Sequence, residues 1–196
     1  MRNLPVGAQK MQVSASLGGP MVDAFSRTIP IPYGLVGATY GVSNEFEVYI
    51  DYHVTASAFK FLGVTPGVVY FPRLPWGRLV PAIGADGLIF SDLSATRIYP
   101  ELTASTAYRL SEQWTPYLVF RYTFQAGRNS LQIPSAMAGT SYRSGRMQYF
   151  IEMQWLALNR DNRWNPVEYH GVSHRGALSV QVGAALDLPW KKGRKK

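Results

Sequence analysis

The 196-residue chain contains no cysteine and very little lysine. The first absence excludes disulfides, thiolate zinc sites and thiol catalysis. The second is unusual: only Lys10 and Lys60 precede a basic C-terminal stretch. A soluble all-β protein normally spreads lysine over its wet face and strand edges. Charged residues together make up 16%, against roughly 25% in an ordinary soluble domain. No apolar run reaches the roughly 18 residues that a membrane-crossing helix needs. No basic n-region followed by an apolar h-region opens the chain, so no signal peptide is expected within it, and an exported form would be numbered from a processed start. No glycine-rich phosphate loop stands in a strand–GxxxxGK–helix setting. Cations elsewhere are scattered, with no patch or motif for nucleic acid.

What the chain does have is aromatic residues, with twelve Tyr and five Trp, and an alternation that returns in segment after segment. Phe46, Val48, Ile50, Tyr52 and Val54 share one face; Glu45, Glu47, Tyr49, Asp51 and His53 share the other. Leu178, Val180, Val182, Ala184, Leu186 and Leu188 alternate in the same way with Ser179, Gln181, Gly183, Ala185 and Asp187. Period two means β-strand. Strands are predicted at about 9–17, 33–42, 45–55, 59–71, 78–90, 96–110, 114–125, 145–158 and 174–189. An irregular lead, 1–8, precedes them and a basic tail, 191–196, follows, leaving one domain over 9–190. The tail supplies five of the eight net positive charges, so the body carries only +3. It reads either as a solvated end or as an anchor for acidic phospholipid or lipopolysaccharide.

Two opposite structures fit such alternation. In a soluble lipocalin-like barrel the apolar face is the core; in a membrane barrel it meets lipid and the polar face lines the lumen. The polar face decides, because it is small rather than charged: Gly37, Thr39, Gly41; Gly63, Thr65, Gly67; Ala82, Gly84; Thr103, Ser105, Ala107. Glycine and alanine weaken an exposed strand but fit a crowded barrel interior. The apolar face is wide and aromatic, as in Leu118, Phe120, Tyr122 and Phe124. Aromatics recur near strand ends at Tyr33, Phe71, Trp76, Trp114, Trp155 and Trp190, as interface girdles require, with the tryptophans the clearest members. Turns at 43–44, 72–77 and 111–113 fall at one end, and loops at 18–32, 91–95 and 126–142 at the other. Bacterial single-chain barrels have even strand counts, so the nine segments imply a hidden tenth strand, for which 163–172 is a candidate, or a first segment outside an eight-stranded barrel.

The expected fold is therefore an all-β, antiparallel, up-and-down transmembrane barrel of eight to ten strands. The chain resembles the small outer-membrane β-barrel proteins of Gram-negative bacteria, and more weakly the compact barrels of Bacteroidetes-type bacteria. In the latter a lead like Arg2-Asn3-Leu4-Pro5-Val6 precedes a first strand like Lys10-Met11-Gln12-Val13-Ser14. The resemblance implies an integral outer-membrane location and contact with lipid, lipopolysaccharide and other outer-membrane or periplasmic proteins. That family often carries a lipid-modified N-terminal cysteine, which is absent here.

The lumen is expected to hold a charge network of Glu47, Asp51, His53, Asp86, Arg97, Glu101, Arg109, Arg121, Arg146, Glu152 and Asp187. Buried charges demand partners, so these side chains are expected to form a salt-bridged plug that fills the lumen, with a narrow polar path for solutes as the alternative. Glu168, Tyr169-His170-Gly171-Val172-Ser173-His174 is the single cluster with hydrolase chemistry. It is similar to the catalytic set of outer-membrane lipid A deacylases but lacks their His-x-Ser spacing. No enzyme activity, cofactor or metal is expected. The expected role is structural or interactive, within an outer-membrane protein assembly; a small-solute channel, a lipid-active hydrolase and a soluble binding barrel are the alternatives.

Overall fold

The computed structural model describes residues 4–24, 27–75, 77–92, 94–125, 131–161 and 169–189. Eleven strands follow in chain order: β1 Met11–Ala24, β2 Arg27–Pro30, β3 Tyr33–Gly41, β4 Phe46–His53, β5 Leu62–Tyr70, β6 Leu79–Ser91, β7 Thr96–Tyr108, β8 Trp114–Gln125, β9 Leu131–Ser144, β10 Met147–Asp161 and β11 Arg175–Leu188. A single helical turn, α1 Val54–Ala58, joins β4 to β5.

Ten strands form the barrel wall. Each pairs antiparallel with its neighbour, and β1 closes the ring by pairing with β11 from Met11↔Leu188 to Pro20↔Ser179. Beyond that point β1 leaves the wall and pairs with β2 over Met21–Ala24, forming a hairpin above the rim. Tyr169 bridges to Val22 there, and the His170 amide donates to the Met21 carbonyl. The connections 42–45, 71–78, 109–113 and 145–146 lie at one end, the turn end. The β1–β2 hairpin, α1, the β6–β7 turn and residues 169–174 lie at the other, the loop end. In the 92–95 turn, Asp92 Oδ1 accepts from the Ser94 hydroxyl and from the Ser94 and Ala95 amides. The Ser94 hydroxyl is the leading cause that holds this exposed carboxyl below its ordinary range.

The tenth strand is β9, which the sequence reading had placed in a long loop at 126–142. Its outward residues Pro134, Ala136, Ala138 and Thr140 are small, so the contrast between faces that marks the other strands is missing. The turn that follows carries the cue. Gly145 adopts φ +58° at the first of two turn positions, where a tight hairpin favours glycine. Of the alternative at 163–172, residues 163–168 lie outside the described set, as does the 191–196 tail.

The faces are those expected of a membrane barrel. On β10, Glu152 is 2% exposed while its neighbour Met153 is 61% exposed. Ile83, Leu102, Leu118, Phe120, Ile151 and Val182 are likewise exposed on the outside. In water such a belt would leave large apolar side chains unburied around the whole ring; in lipid it is the solvated surface. Trp114 stands at the turn-end margin of this belt, stacked on Tyr142 with ring centroids 4.9 Å apart. Trp155 is at the loop-end margin, its Nε1 donating to the Arg175 carbonyl. Trp76 and Trp190 lie outside the described residues. Tyr33 and Phe71 are not girdle residues: Tyr33 lines the lumen and Phe71 is buried in it.

Luminal glycines are seats for side chains from neighbouring strands. The Tyr49 ring lies over Gly67, Tyr117 over Gly139, Phe150 over Gly183 and the Asp51 carboxyl over Gly37. A Cβ on Gly139 would stand 2.6 Å from the Tyr117 ring and 2.7 Å from the Ile151 carbonyl. Gly139→Val is therefore expected to lower stability by about 1–3 kcal/mol through overpacking. Ile151→Arg, at mid-height on the lipid face, is expected to cost about 2–4 kcal/mol. Urea unfolding in detergent, followed by the heat-modifiable shift on SDS gels, reads both.

Candidate functional site

The lumen divides into two parts. Toward the turn end it is filled by apolar side chains. Ala107, Tyr117, Val119 and Met137 form one buried cluster with Leu4 and Val80 packed on it; Val69, Phe71 and Ala82 form another with Tyr49 and Val80. All the strand members come from the inward parity of β4 to β9. The filling at this end is thus apolar on the β4–β9 side, while Arg143, Asp187, Gln12 and Gln148 bond to one another on the β1, β10 and β11 side. Above it a cavity of about 400 Å³ runs toward the loop end, room for about a dozen waters at ~30 Å³ each.

The wall of this cavity sets charged and polar side chains among apolar ones such as Leu35, Leu88, Phe150 and Leu156. Asp86 and Glu101 stand opposite each other on β6 and β7. Tyr49 donates its hydroxyl proton to Asp86 Oδ2 at 2.6 Å, reaching it across the space that Gly67 leaves empty. Thr123 donates to Glu101 Oε1. Arg121, one strand further round, places its Nε 3.9 Å from Glu101 Oε2, and Asp86 and Glu152 also lie close enough to act on its charge. Asp51 leans over Gly37 toward Ser14.

Across the lumen an amide chain runs along β10, β11 and β1. Gln154 Nε2 donates to Glu152 Oε2 at 3.2 Å and to Gln181 Oε1 at 2.9 Å, and Gln181 Nε2 donates to Ser16 Oγ at 2.7 Å. A third group sits toward the loop end. His53 bonds to the Tyr33 hydroxyl through Nδ1 and to Thr65 Oγ1 through Nε2, the latter at 2.7 Å, with Phe90 edge-on to its ring at 5.2 Å.

Of the residues singled out from sequence, the cavity lining gathers Asp51, His53, Asp86, Glu101, Arg121 and Glu152. Glu47 is luminal and fully buried, but below the cavity among the apolar clusters. Asp187 is luminal at the turn end, 2.9 Å from Arg143 Nη1 and in hydrogen bond with Gln12. Arg97, Arg109 and Arg146 are apart from this network. Arg97 is exposed near the loop-end start of β7, Arg109 is exposed in the turn after it, and Arg146 is exposed in the β9–β10 turn, its Nε on the Asp187 carbonyl. With these three outside, the lining among the described residues carries four carboxyl groups, Asp51, Asp86, Glu101 and Glu152, and the guanidinium of Arg121. Alternation had set Tyr49, Thr65 and Gln181 on the polar face without giving them a part in the network, and Tyr33 had been set at the membrane interface; Gln154 and Arg143 were not singled out. Ser173 and His174 sit together in the exposed turn before β11, both with positive φ; Glu168 lies outside the described residues.

Arg121→Met leaves the surrounding carboxyl groups without their cation and is expected to cost about 1–3 kcal/mol. Adding Glu101→Gln should return part of that loss, a coupling that a double-mutant cycle of urea unfolding free energies measures directly.

No family model matches the sequence, and no curated protein matches it. Among solved structures, the chain is similar to an outer-membrane channel from Pseudomonas putida F1, with 8% identity over 92% of this chain and 96% of that one, at a TM-score of 0.52. It is similar to the KdgM porin at 9% identity, over 91% and 99% of the two chains, also at a TM-score of 0.52. Neither bears on the Bacteroidetes-type likeness. At these identities the likeness is one of architecture, and it agrees with the lipid-facing belt and the closed ring: the chain has the fold of the integral outer-membrane β-barrels of Gram-negative bacteria.

Proposed function

We propose that this barrel is a narrow outer-membrane conduit for small cationic solutes. The observation that carries this reading is the luminal cavity of about 400 Å³ whose wall bears four carboxyl groups and one arginine. A space of that size suits hydrated metal ions or small organic amines, and the surplus of acid makes its potential negative. Low-dielectric walls around like charges focus that potential and raise the local concentration of the opposite ion. Tyr49, Thr123 and the Gln154–Gln181–Ser16 chain hold the acids and the facing wall in place. Together they offer hydrogen bonds that replace part of a solute's hydration shell. A channel and a porin share this architecture, which is compatible with the reading without assigning it.

A structural role in an outer-membrane assembly is the second reading. The apolar filling at the turn end and the raised β1–β2 hairpin favour it, since a closed barrel with a projecting hairpin is suited to holding partners.

Planar-bilayer recording separates the two. The conduit should give a small conductance whose reversal potential in a KCl gradient reports cation preference. Asp86→Asn with Glu101→Gln should lower the permeability ratio several-fold. A heat-modifiable, correctly folded barrel that stays silent at every voltage, with and without residues 4–8, would remove the conduit reading in favour of the assembly role, for which co-purifying outer-membrane or periplasmic proteins are the readout.

A further inference from the structure

The turn end of the lumen is closed in part by a piece of chain that belongs to no strand. Residues 4–7 are half-buried and enter the barrel from below β1. Leu4 packs on the luminal cluster of Ala107, Tyr117, Val119 and Met137. The Val6 amide donates to Oε1 of Glu47, a carboxyl group with no solvent exposure. Lower down, the Ala8 amide donates to Asn44 Oδ1 at 3.1 Å and the Gln9 amide to the Gly41 carbonyl at 2.7 Å. Gly7 lies so close to the wall that a Cβ on Gly41 would stand 1.9 Å from its carbonyl oxygen.

The position of this segment relative to the cavity matters. Val69 and Val119 line the cavity from above and are members of the two apolar clusters. Leu4 touches one of those clusters from below, so the cavity floor is a layer of side chains with the lead seated beneath it. The wall strands are fixed by ladders on both sides. Among the described residues, the lead by contrast joins no ladder and is held by Leu4, the Val6–Glu47 bond and hydrogen bonds near the margin. Segments with so few fixed contacts open first, without disturbing the rest of the fold.

We propose that Leu4–Val6 is a reversible stopper, whose release connects the acidic cavity to solvent at the turn end. This rests on the conduit reading above. Release does more than open a gap. Glu47, whose buried carboxyl group stands beside that mouth, loses the Val6 amide as one of its partners. Leu4 and the Val6 amide are the parts that close it, Glu47 is the latch, and the junction with β1 at Gln9, whose amide is held by the Gly41 carbonyl, is the point about which the lead swings.

The absence of native cysteine makes the test clean. In the full chain, Ala8→Cys with Asn44→Cys places two thiols where the lead meets the β3–β4 turn, so oxidation ties the stopper down and reduction frees it. Val6→Pro removes the amide donor, and Leu4→Asp removes the apolar seat. Each variant is first checked for the heat-modifiable band, so that a misfolded barrel is not counted, and then recorded in planar bilayers. The expected result is a mean conductance several-fold above wild type for Val6→Pro and Leu4→Asp. The oxidised double-cysteine barrel should fall several-fold below its own reduced form. If all the folded variants conduct equally, oxidised or reduced, the stopper is overturned while the conduit stands. If none conducts, including a barrel lacking residues 4–8, both are overturned.

Discussion

Everything in this molecule depends on the pairing of β1 with β11. In a bilayer no water is present to take up unpaired backbone N–H and C=O groups, so a sheet can cross only if it has no edge. Ten residue pairs, Met11↔Leu188 through Pro20↔Ser179, remove the two edges that the other nine strand pairings would leave. Once the ring is closed, alternation along each strand has only one outcome. One parity meets lipid and must be apolar; the other meets a space too narrow for ten strands' worth of large side chains. β1 escapes the constraint only where it rises clear of the wall, and there it finds a new partner in β2.

The shortage of space inside explains the glycines. Each large luminal side chain borrows the volume of a glycine on an adjacent strand, so that Tyr49, Tyr117, Phe150 and Asp51 lie flat against the wall rather than standing into the lumen. The same arrangement makes the cavity possible. If Tyr49 had no empty place over Gly67, it could not reach Asp86 without crossing the centre of the barrel. Packing economy and chemistry are therefore the same design: the residues that hold the acids are those that the glycines allow to lie down.

Much of this was legible in the sequence. The face assignment followed from Gly37, Thr39, Gly63 and Thr65, because small residues in period two have no use on a wet surface. The ends of the barrel, the wall strands other than β9 and the acidic members of the lumen followed in turn. Strand β9 was missed because Ala136, Ala138 and Thr140 face lipid with side chains too small to contrast with Ser135 and Ser141 across the strand. Tyr33 and Phe71 were placed at the membrane interface because an aromatic at a strand end carries no mark of its face until the register is known. Arg97, Arg109 and Arg146 were counted inside because alternation put them on the polar face, but each stands where its strand reaches a rim or turn, and a long cationic side chain at such a position extends into water. The lead read as irregular from Pro5 and Gly7, which is correct locally and gives no hint of where it goes. Its destination is set by Glu47, forty-one residues further on.

The β6–β7 pairing that brings Asp86 opposite Glu101 has one more consequence. Fixed acid in a small walled volume, with Arg121 the one guanidinium among the described lining residues, is the arrangement of an ion-exchange resin. The counterions such a resin needs are part of its resting state rather than visitors to it. On the conduit reading proposed above, such a barrel would equilibrate with the salts around it before any solute arrives, and what it would exchange for an incoming cation is another cation already held inside.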